Sequence, residues 1–354
     1  MMREPSFWWR APGTAARVLA PVSAVYGAVA QARLRQRGVR VATPVVCVGN
    51  PTVGGAGKTP TALTVARILK EAGERPVFLT RGHGGTLAGP IEVDPAHQHA
   101  AQVGDEPLLL ARVARTIVAR ARLAGAGRAA AGASVIVMDD GFQNPSLHKD
   151  FSLLVVDERR GIGNGRVVPG GPLRAPLAAQ LARAHALLLV GAPLRAGSAV
   201  EEARSHDLPV LRAHLRPDPK LIAALGRGRV LAFAGIGDPE KFFATLSDAG
   251  VAVAVTRSFP DHHRYTRAEA RALREEADRE GLMLVTTEKD LARLKGDEET
   301  AELVAHAQAL PVALVFEQEA AFKSLLLERI AAARERSATG AGSTAAGQAG
   351  CLRP

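Results

Sequence analysis

Residues 45–71, VVCVGNPTVGGAGKTPTALTVARILKE, set three patterns end to end. Val45 to Val48 are apolar without interruption, which suits a strand buried on both faces. Asn50 to Gly57 form a turn rich in glycine, and from Lys58 onward the spacing is that of a helix. A strand, a glycine loop and a helix in this order favour phosphate, because loop amides and the helix N-terminus point at an anion together. Gly54, Gly55 and Gly57 let the backbone approach it. Lys58 can reach the β- and γ-phosphates, and Thr59 can ligate Mg2+. The strict spacing of such a loop asks for glycine at position 52, where Thr52 stands. That weakens the pattern without removing a charge-bearing part. Pro60 costs little, since first-turn amides have no helical partner.

Outward from this stretch the alternation continues. PVFLT (76–80), ASVIVMDD (133–140), SLLVVD (152–157) and ALLLVG (186–191) read as strands, and DEPLLLARVARTIVARAR (105–122) reads as one long helix. Strand–helix alternation with β-branched runs predicts an α/β fold, a P-loop NTPase-like doubly wound parallel sheet over residues 41–215. A second round, from RVLAFAGIG (229–237) to LMLVTTEKD (282–290), predicts a smaller α/β domain over 225–335, joined through Leu211–Gly228. Residues 336–354 are low in complexity and read as a disordered tail.

Residues 1–40 form a separate N-terminal segment with a hydrophobic helix. Residues 18–32 carry no charge, and Val18, Val22, Val25 and Val29 recur at helical spacing. Fifteen helical residues reach about 22 Å, short of a ~30 Å hydrocarbon core. Trp8 and Trp9 precede this run, and Arg33, Arg35, Arg37 and Arg40 follow it. Aromatic residues, a short apolar helix and arginines suit a helix lying in a membrane interface. The plainer alternative is an amphipathic helix packed on the domain.

Lys and Arg total 45 against 35 Asp and Glu, a net charge of +10 that suits an anionic partner. Aromatic residues make up only 4% of the chain, too few platforms for single-stranded nucleic acid, so no nucleic-acid partner is expected. The two cysteines, Cys47 and Cys351, form no disulfide framework and fit a reducing compartment.

Four further stretches carry chemistry. VIVMDDGFQ (135–143) is an apolar strand ending in Asp139-Asp140, where a metal or water beside the glycine loop needs a carboxylate. VGDEP (103–107) puts Asp105-Glu106 before a helix, as a cap or as a catalytic base. PDHH (260–263) places Asp261, His262 and His263 in a loop of the second domain without zinc-like spacing. GIGNGRVVPGGPLRAP (161–176) is a second glycine-proline loop whose Arg166 and Arg174 could hold phosphate. TTEKD (286–290) reads as a capped strand-to-helix junction.

In this order GNPTVGGAGKTP, RGHGG, VGDEP, DDGFQ, GNGRVVPGGPLR, PDHH and TTEKD resemble the tetraacyldisaccharide 4'-kinases of lipid A synthesis, over roughly Val45 to Leu294. That family's loop has threonine at the place of Thr52. The resemblance implies a kinase that uses ATP and Mg2+ to phosphorylate the 4'-hydroxyl of a tetraacyldisaccharide 1-phosphate, the lipid A disaccharide precursor, forming lipid IVA. It would work on the membrane surface at the cytoplasmic face of the bacterial inner membrane, with no obligate protein partner. Thr52, Val53, Gly54, Gly55, Ala56, Gly57, Lys58 and Thr59 would cradle ATP, joined by Gln143 and Arg174. Asp105 would be the general base with His262 as its partner; Lys58, Asp139 and Asp140 would serve the reacting phosphate. Thr59, Glu106 and Asp139 would hold the metal. Asn144 and Ala175 stand where the family has histidine and glutamate. The alternative from another class is a membrane-associated P-loop ATPase acting as a switch or delivery protein, with no lipid acceptor.

Overall fold

The structure, a computed structural model, describes residues 4–192, 194–226 and 228–348. Eight strands come first: β1 (Val45–Gly49), β2 (Pro76–Thr80), β3 (Ile91–Glu92), β4 (Thr116–Val118), β5 (Val135–Asp139), β6 (Phe151–Asp157), β7 (Ala186–Val190) and β8 (Val210–Pro217). Five follow: β9 (Arg229–Ala234), β10 (Ala252–Ser258), β11 (Met283–Thr287), β12 (Ala307–Leu310) and β13 (Val312–Phe316). The large sheet has nine strands in the order β13-β8-β7-β6-β1-β5-β2-β4-β3. It is parallel from β8 to β4, and only the edge strands β13 and β3 run antiparallel. Helices cover both faces, so its central strands are apolar on both sides: every residue of β1, β2, β5 and β7 is buried.

The second sheet, β10-β9-β11-β12, is wholly parallel. Its helix Arg267–Glu280 begins with a capping box, in which Thr266 and Glu269 bond each other's backbone amides.

Sequence and structure part in four places. The stretch expected as one helix over 105–122 divides into a helix Asp105–Ala111, strand β4 and a helix Arg122–Ala130. Thr116, Ile117 and Val118 are β-branched and pair beside β2, so sheet burial overrides the helical spacing. The segment expected as an interdomain join is structured, with β8 belonging to the large sheet. The smaller unit ends near Leu310, because β13 returns to pair antiparallel with β8 and the last helix packs on the first core through Phe322, Leu326 and Ile330. That helix, Glu319–Gln348, continues through residues expected as a disordered tail; residues 349–354 lie outside the described ones.

The N-terminal run forms a helix Ala20–Arg35 after a short turn Thr14–Val18. Val22, Val25, Tyr26 and Val29 face outward, Val25 being 68% exposed. The opposite side is tied down: Ser23 Oγ accepts from the Gly170 amide at 2.9 Å, and Trp8 Nε1 donates to the Pro169 carbonyl at 2.9 Å. No helix among the described residues is long and apolar enough to cross a membrane.

Candidate active site

Strand β1 lies between β5 and β6, where the winding of the sheet reverses. A crevice opens outside the carboxyl ends of the strands at such a point. The glycine loop leaves β1 there and enters the helix Lys58–Glu71. Gly54 and Gly57 have φ of 95° and 86°, a region in which a Cβ is costly, so these two positions demand glycine. Thr52 does not. It is bridged to Leu173, and its carbonyl accepts from Arg174 Nε at 2.8 Å and from Asn50 Nδ2 at 2.7 Å. The Val53 amide donates to the Pro172 carbonyl at 2.8 Å. The loop is therefore strapped to the second glycine-proline loop, which does the work of a glycine at its start.

Val48 pairs with Asp139, so the register of β1 and β5 brings that acid to the loop. Thr59 Oγ1 donates to Asp139 Oδ2 at 3.3 Å, while Asp139 Oδ1 is buried with no partner. Burial, then repulsion from Glu106, pushes the Asp139 carboxyl up to about 7. Such a pair lacks positive charge. One carboxylate and one hydroxyl beside a phosphate site suit a Mg2+ ion that takes its other ligands from phosphate and water.

Asp140 is held differently. Its φ is 52°, and its carboxylate faces Lys58 Nζ at 3.8 Å and Arg174 Nη1 at 3.2 Å. Burial raises its carboxyl, but these two cations outweigh burial and hold it below the usual range. Burial likewise lowers the Lys58 ammonium, with Asp140 opposing. Gln143 joins the strap, donating to the Asn50 carbonyl at 3.0 Å and receiving Arg174 Nη1 at 3.4 Å. Asn144 instead caps its own turn, accepting from the Ser146 amide at 3.0 Å, and Ala175 is fully buried.

Asp105 is the first residue of its helix, after Gly104 with φ of 94°. As a cap it serves one amide only, that of Glu106 at 3.0 Å to Oδ1. Its other oxygen, Oδ2, receives Arg293 Nε at 2.7 Å and lies 3.5 Å from His262 Nδ1. Burial raises this carboxyl, but His262, Arg293 and Lys289 together hold it well below the usual carboxylate range. The Asp105 carboxylate in turn raises the His262 imidazole above its usual value, against burial. His262 has φ of 56°, and its amide donates to the Gly235 carbonyl at 3.1 Å. His263 turns away to Glu269 at 2.9 Å.

Glu106, expected with Thr59 and Asp139 in the metal set, receives Lys289 Nζ at 2.5 Å on its carboxylate. Lys289, Arg293 and Glu4 are the site neighbours that the sequence did not announce. Thr287 does cap its helix as expected, accepting from the Asp290 amide at 3.1 Å. That legible role concealed the basic residues on the next turn. Glu4 packs over Gly54 and binds Arg160 at 2.8 Å, so the N-terminal segment reaches the loop. No spacing signal links positions so far apart.

A glycine loop with lysine and threonine, an acid at the neighbouring strand end and an acid–histidine pair assembled across two α/β units define a P-loop phosphotransferase. The comparisons agree. The family model described as tetraacyldisaccharide-1-P 4'-kinase matches residues 15–331. A tetraacyldisaccharide 4'-kinase of Rhodopseudomonas palustris (strain BisA53) is 54% identical over 336 residues, covering 95% of this chain and 98% of that one. The protein of the same name from Nitrobacter hamburgensis is 52% identical, covering 94% and 100%. A solved structure described as the "apo" form of LpxK from Aquifex aeolicus in complex with ATP superposes with a TM-score of 0.67 at 26% identity, covering 89% of this chain and 99% of that one. The chain belongs to the tetraacyldisaccharide 4'-kinase family.

Proposed function

We propose that this chain transfers the γ-phosphate of ATP to the 4'-hydroxyl of a tetraacyldisaccharide 1-phosphate, yielding lipid IVA, at the cytoplasmic face of the bacterial inner membrane. One observation supports this above the others. Asp105, in the unit that carries the phosphate loop, meets His262 from the other unit at 3.5 Å, a pairing suited to accepting a hydroxyl proton. A switch ATPase has no need of a base for a sugar hydroxyl.

Phosphoryl transfer asks mainly for positioning and charge neutralisation. The amides of residues 54–59 would cradle the phosphates, and Lys58 sits where charge develops on the γ-phosphoryl oxygens. Thr59 and Asp139 would hold Mg2+, which when bound neutralises phosphate charge. Arg174 fixes Thr52 and Asp140 and so keeps the loop open for nucleotide. A carboxylate held as low as Asp105 accepts a proton poorly alone. Paired with His262, it orients Nδ1 and lets the imidazole share the acceptor proton as the new P–O bond forms. His262 Nε2 lies 3.9 Å from Asp261, too far for a hydrogen bond, and is the nitrogen proposed to face the acceptor.

The outward valines of the helix Ala20–Arg35, with the arginines that follow, suit a face that lies in the membrane interface where a lipid acceptor resides. The deciding assay incubates the purified protein with labelled ATP and a detergent-dispersed disaccharide lipid. Label in the lipid supports the kinase; label in free phosphate alone, unaffected by lipid, supports the switch ATPase.

A further inference from the structure

We infer that Arg293 is a positioning residue for the acceptor half of the reaction, clamping the Asp105 carboxylate in the orientation that His262 needs. The inference rests on the Asp105–His262 reading above and adds a third member to it.

The guanidinium has two sets of partners. Toward the phosphate-loop unit, Nε donates to Asp105 Oδ2 at 2.7 Å; Nη2 lies 2.7 Å from the same oxygen without making a hydrogen bond. Toward its own unit, Nη1 donates to the Gly235 carbonyl at 2.6 Å and to Asp290 Oδ1 at 2.8 Å. Asp290 is itself fixed, receiving the Tyr265 hydroxyl at 2.9 Å and the Gly235 amide at 3.0 Å. The Gly235 carbonyl that holds Arg293 also accepts from the His262 amide. One carbonyl thus sets both groups that converge on Asp105 Oδ2. The side chains are almost wholly buried, with Arg293 7% exposed and Asp105 2%.

A buried charge cluster is poor evidence for stability, because desolvation offsets much of the attraction. It does impose geometry. With Oδ1 taken by the Glu106 amide and Oδ2 by Arg293, the carboxylate cannot rotate, and the His262 ring is held at one angle. A planar guanidinium fixes a carboxylate in a way that an ammonium, a point charge, does not. An interunit tie of no catalytic purpose could use any surface acid. This one uses the acid that faces the histidine.

The test separates placement from folding. Arg293→Gln is expected to lower kcat by ~10²-fold, the usual result of displacing a reacting group by about 1 Å. The KM for ATP should change by less than about threefold, since Arg293 touches no residue of the glycine loop. Arg293→Lys keeps the charge and loses the fork, and should fall by ~10-fold. In Arg293→Ala, added guanidinium ion should restore part of the lost kcat, and methylammonium should not. Asp105→Asn combined with Arg293→Gln should be no slower than Asp105→Asn alone. If Arg293→Gln leaves too little folded protein, Arg293→Lys decides. A lysine variant with parental kcat, or single losses that multiply in the double variant, overturns the proposal. Failure of the parent chain to label lipid would instead remove the kinase reading itself.

Discussion

Replacing Lys58 with methionine separates the catalytic use of its charge from any structural use. The side chain is 10% exposed, and its Nζ lies 3.8 Å from Asp140 Oδ2. At an effective dielectric of ~20 that separation is worth about 4 kcal/mol of gross attraction. The burial that lowers the Lys58 ammonium cancels much of it. Asp140 also keeps a second cation in the variant, because Arg174 Nη1 remains at 3.2 Å and Nη2 at 3.4 Å. Methionine preserves most of the apolar stem. The fold should therefore change little, within about 1 kcal/mol, or roughly 4 °C in melting temperature. The transition state has no such reserve. Loss of a preorganised charge aimed at developing oxyanions costs about 3–4 kcal/mol, hence ~10²–10³-fold in transfer. Transfer is measured as label in lipid, and stability by thermal melting of the same preparation without nucleotide. Turnover within tenfold of the parent would remove Lys58 from the reacting phosphate. A melting temperature lowered by much more than ~8 °C would make it a structural ion pair.

Asp105→Ala and His262→Ala should each lower kcat far more than they raise the KM for ATP, and the double variant should lose less than the product of the two; clean multiplication would show that they act independently. Transfer should also fall as pH drops through a limb above the ordinary imidazole value of 6.5, since His262 is raised and only its neutral form accepts a proton, whereas a limb below 6.5 would exclude it. His185 is half-buried, its Nδ1 accepts from the Ser152 amide at 3.0 Å, and desolvation lowers its imidazole from 6.5 to about 4. As pH falls below 6.5 the unfolded chain binds this proton first, so stability should decline by roughly 3 kcal/mol by pH 4. His185→Gln should flatten that part of a urea-midpoint profile, and an unchanged slope would assign it to other groups. Serine at Val22, Val25 and Val29 should weaken vesicle binding on the order of 10²-fold, about 1 kcal/mol per side chain, and unchanged binding would rule out this face as the anchor.

The last substitution replaces a simpler experiment, deletion of the whole N-terminal segment, for a reason only the structure supplies. Glu4 packs over Gly54, and the Asn164 amide donates to the Trp8 carbonyl at 2.8 Å, so removing these residues would disturb the phosphate loop as well as the apolar face. In the sequence this segment reads as a separate hydrophobic helix, because periodicity reports one face of an element and says nothing of what lies across it. The phosphate loop was readable for the opposite reason. Its chemistry is local: two glycines at positive φ, a lysine and a threonine, all within six residues. Asp139 was readable as the end of an apolar strand. The return of β13 to the large sheet was not, since five apolar residues pair equally well with either sheet until β8 is in place. Lys289 and Arg293 remained hidden behind a true but lesser role, the cap of their helix.

What unites the readable and unreadable parts is the direction of the two parallel sheets. The loop, Asp139 and Asp140 leave the carboxyl ends of β1 and β5. Gly235, the PDHH loop and the helix bearing Lys289 and Arg293 leave the carboxyl ends of β9, β10 and β11. A Cβ placed on Gly237 would meet the amide of Gly55 at 3.4 Å, so the two carboxyl edges face each other. Each edge alone is incomplete. Asp105 and Glu106 belong to the larger unit, and the Arg293, Lys289 and His262 that meet them belong to the smaller. Apposition of the edges brings His262 and Arg293 onto Asp105 Oδ2, the pairing on which the proposed base depends.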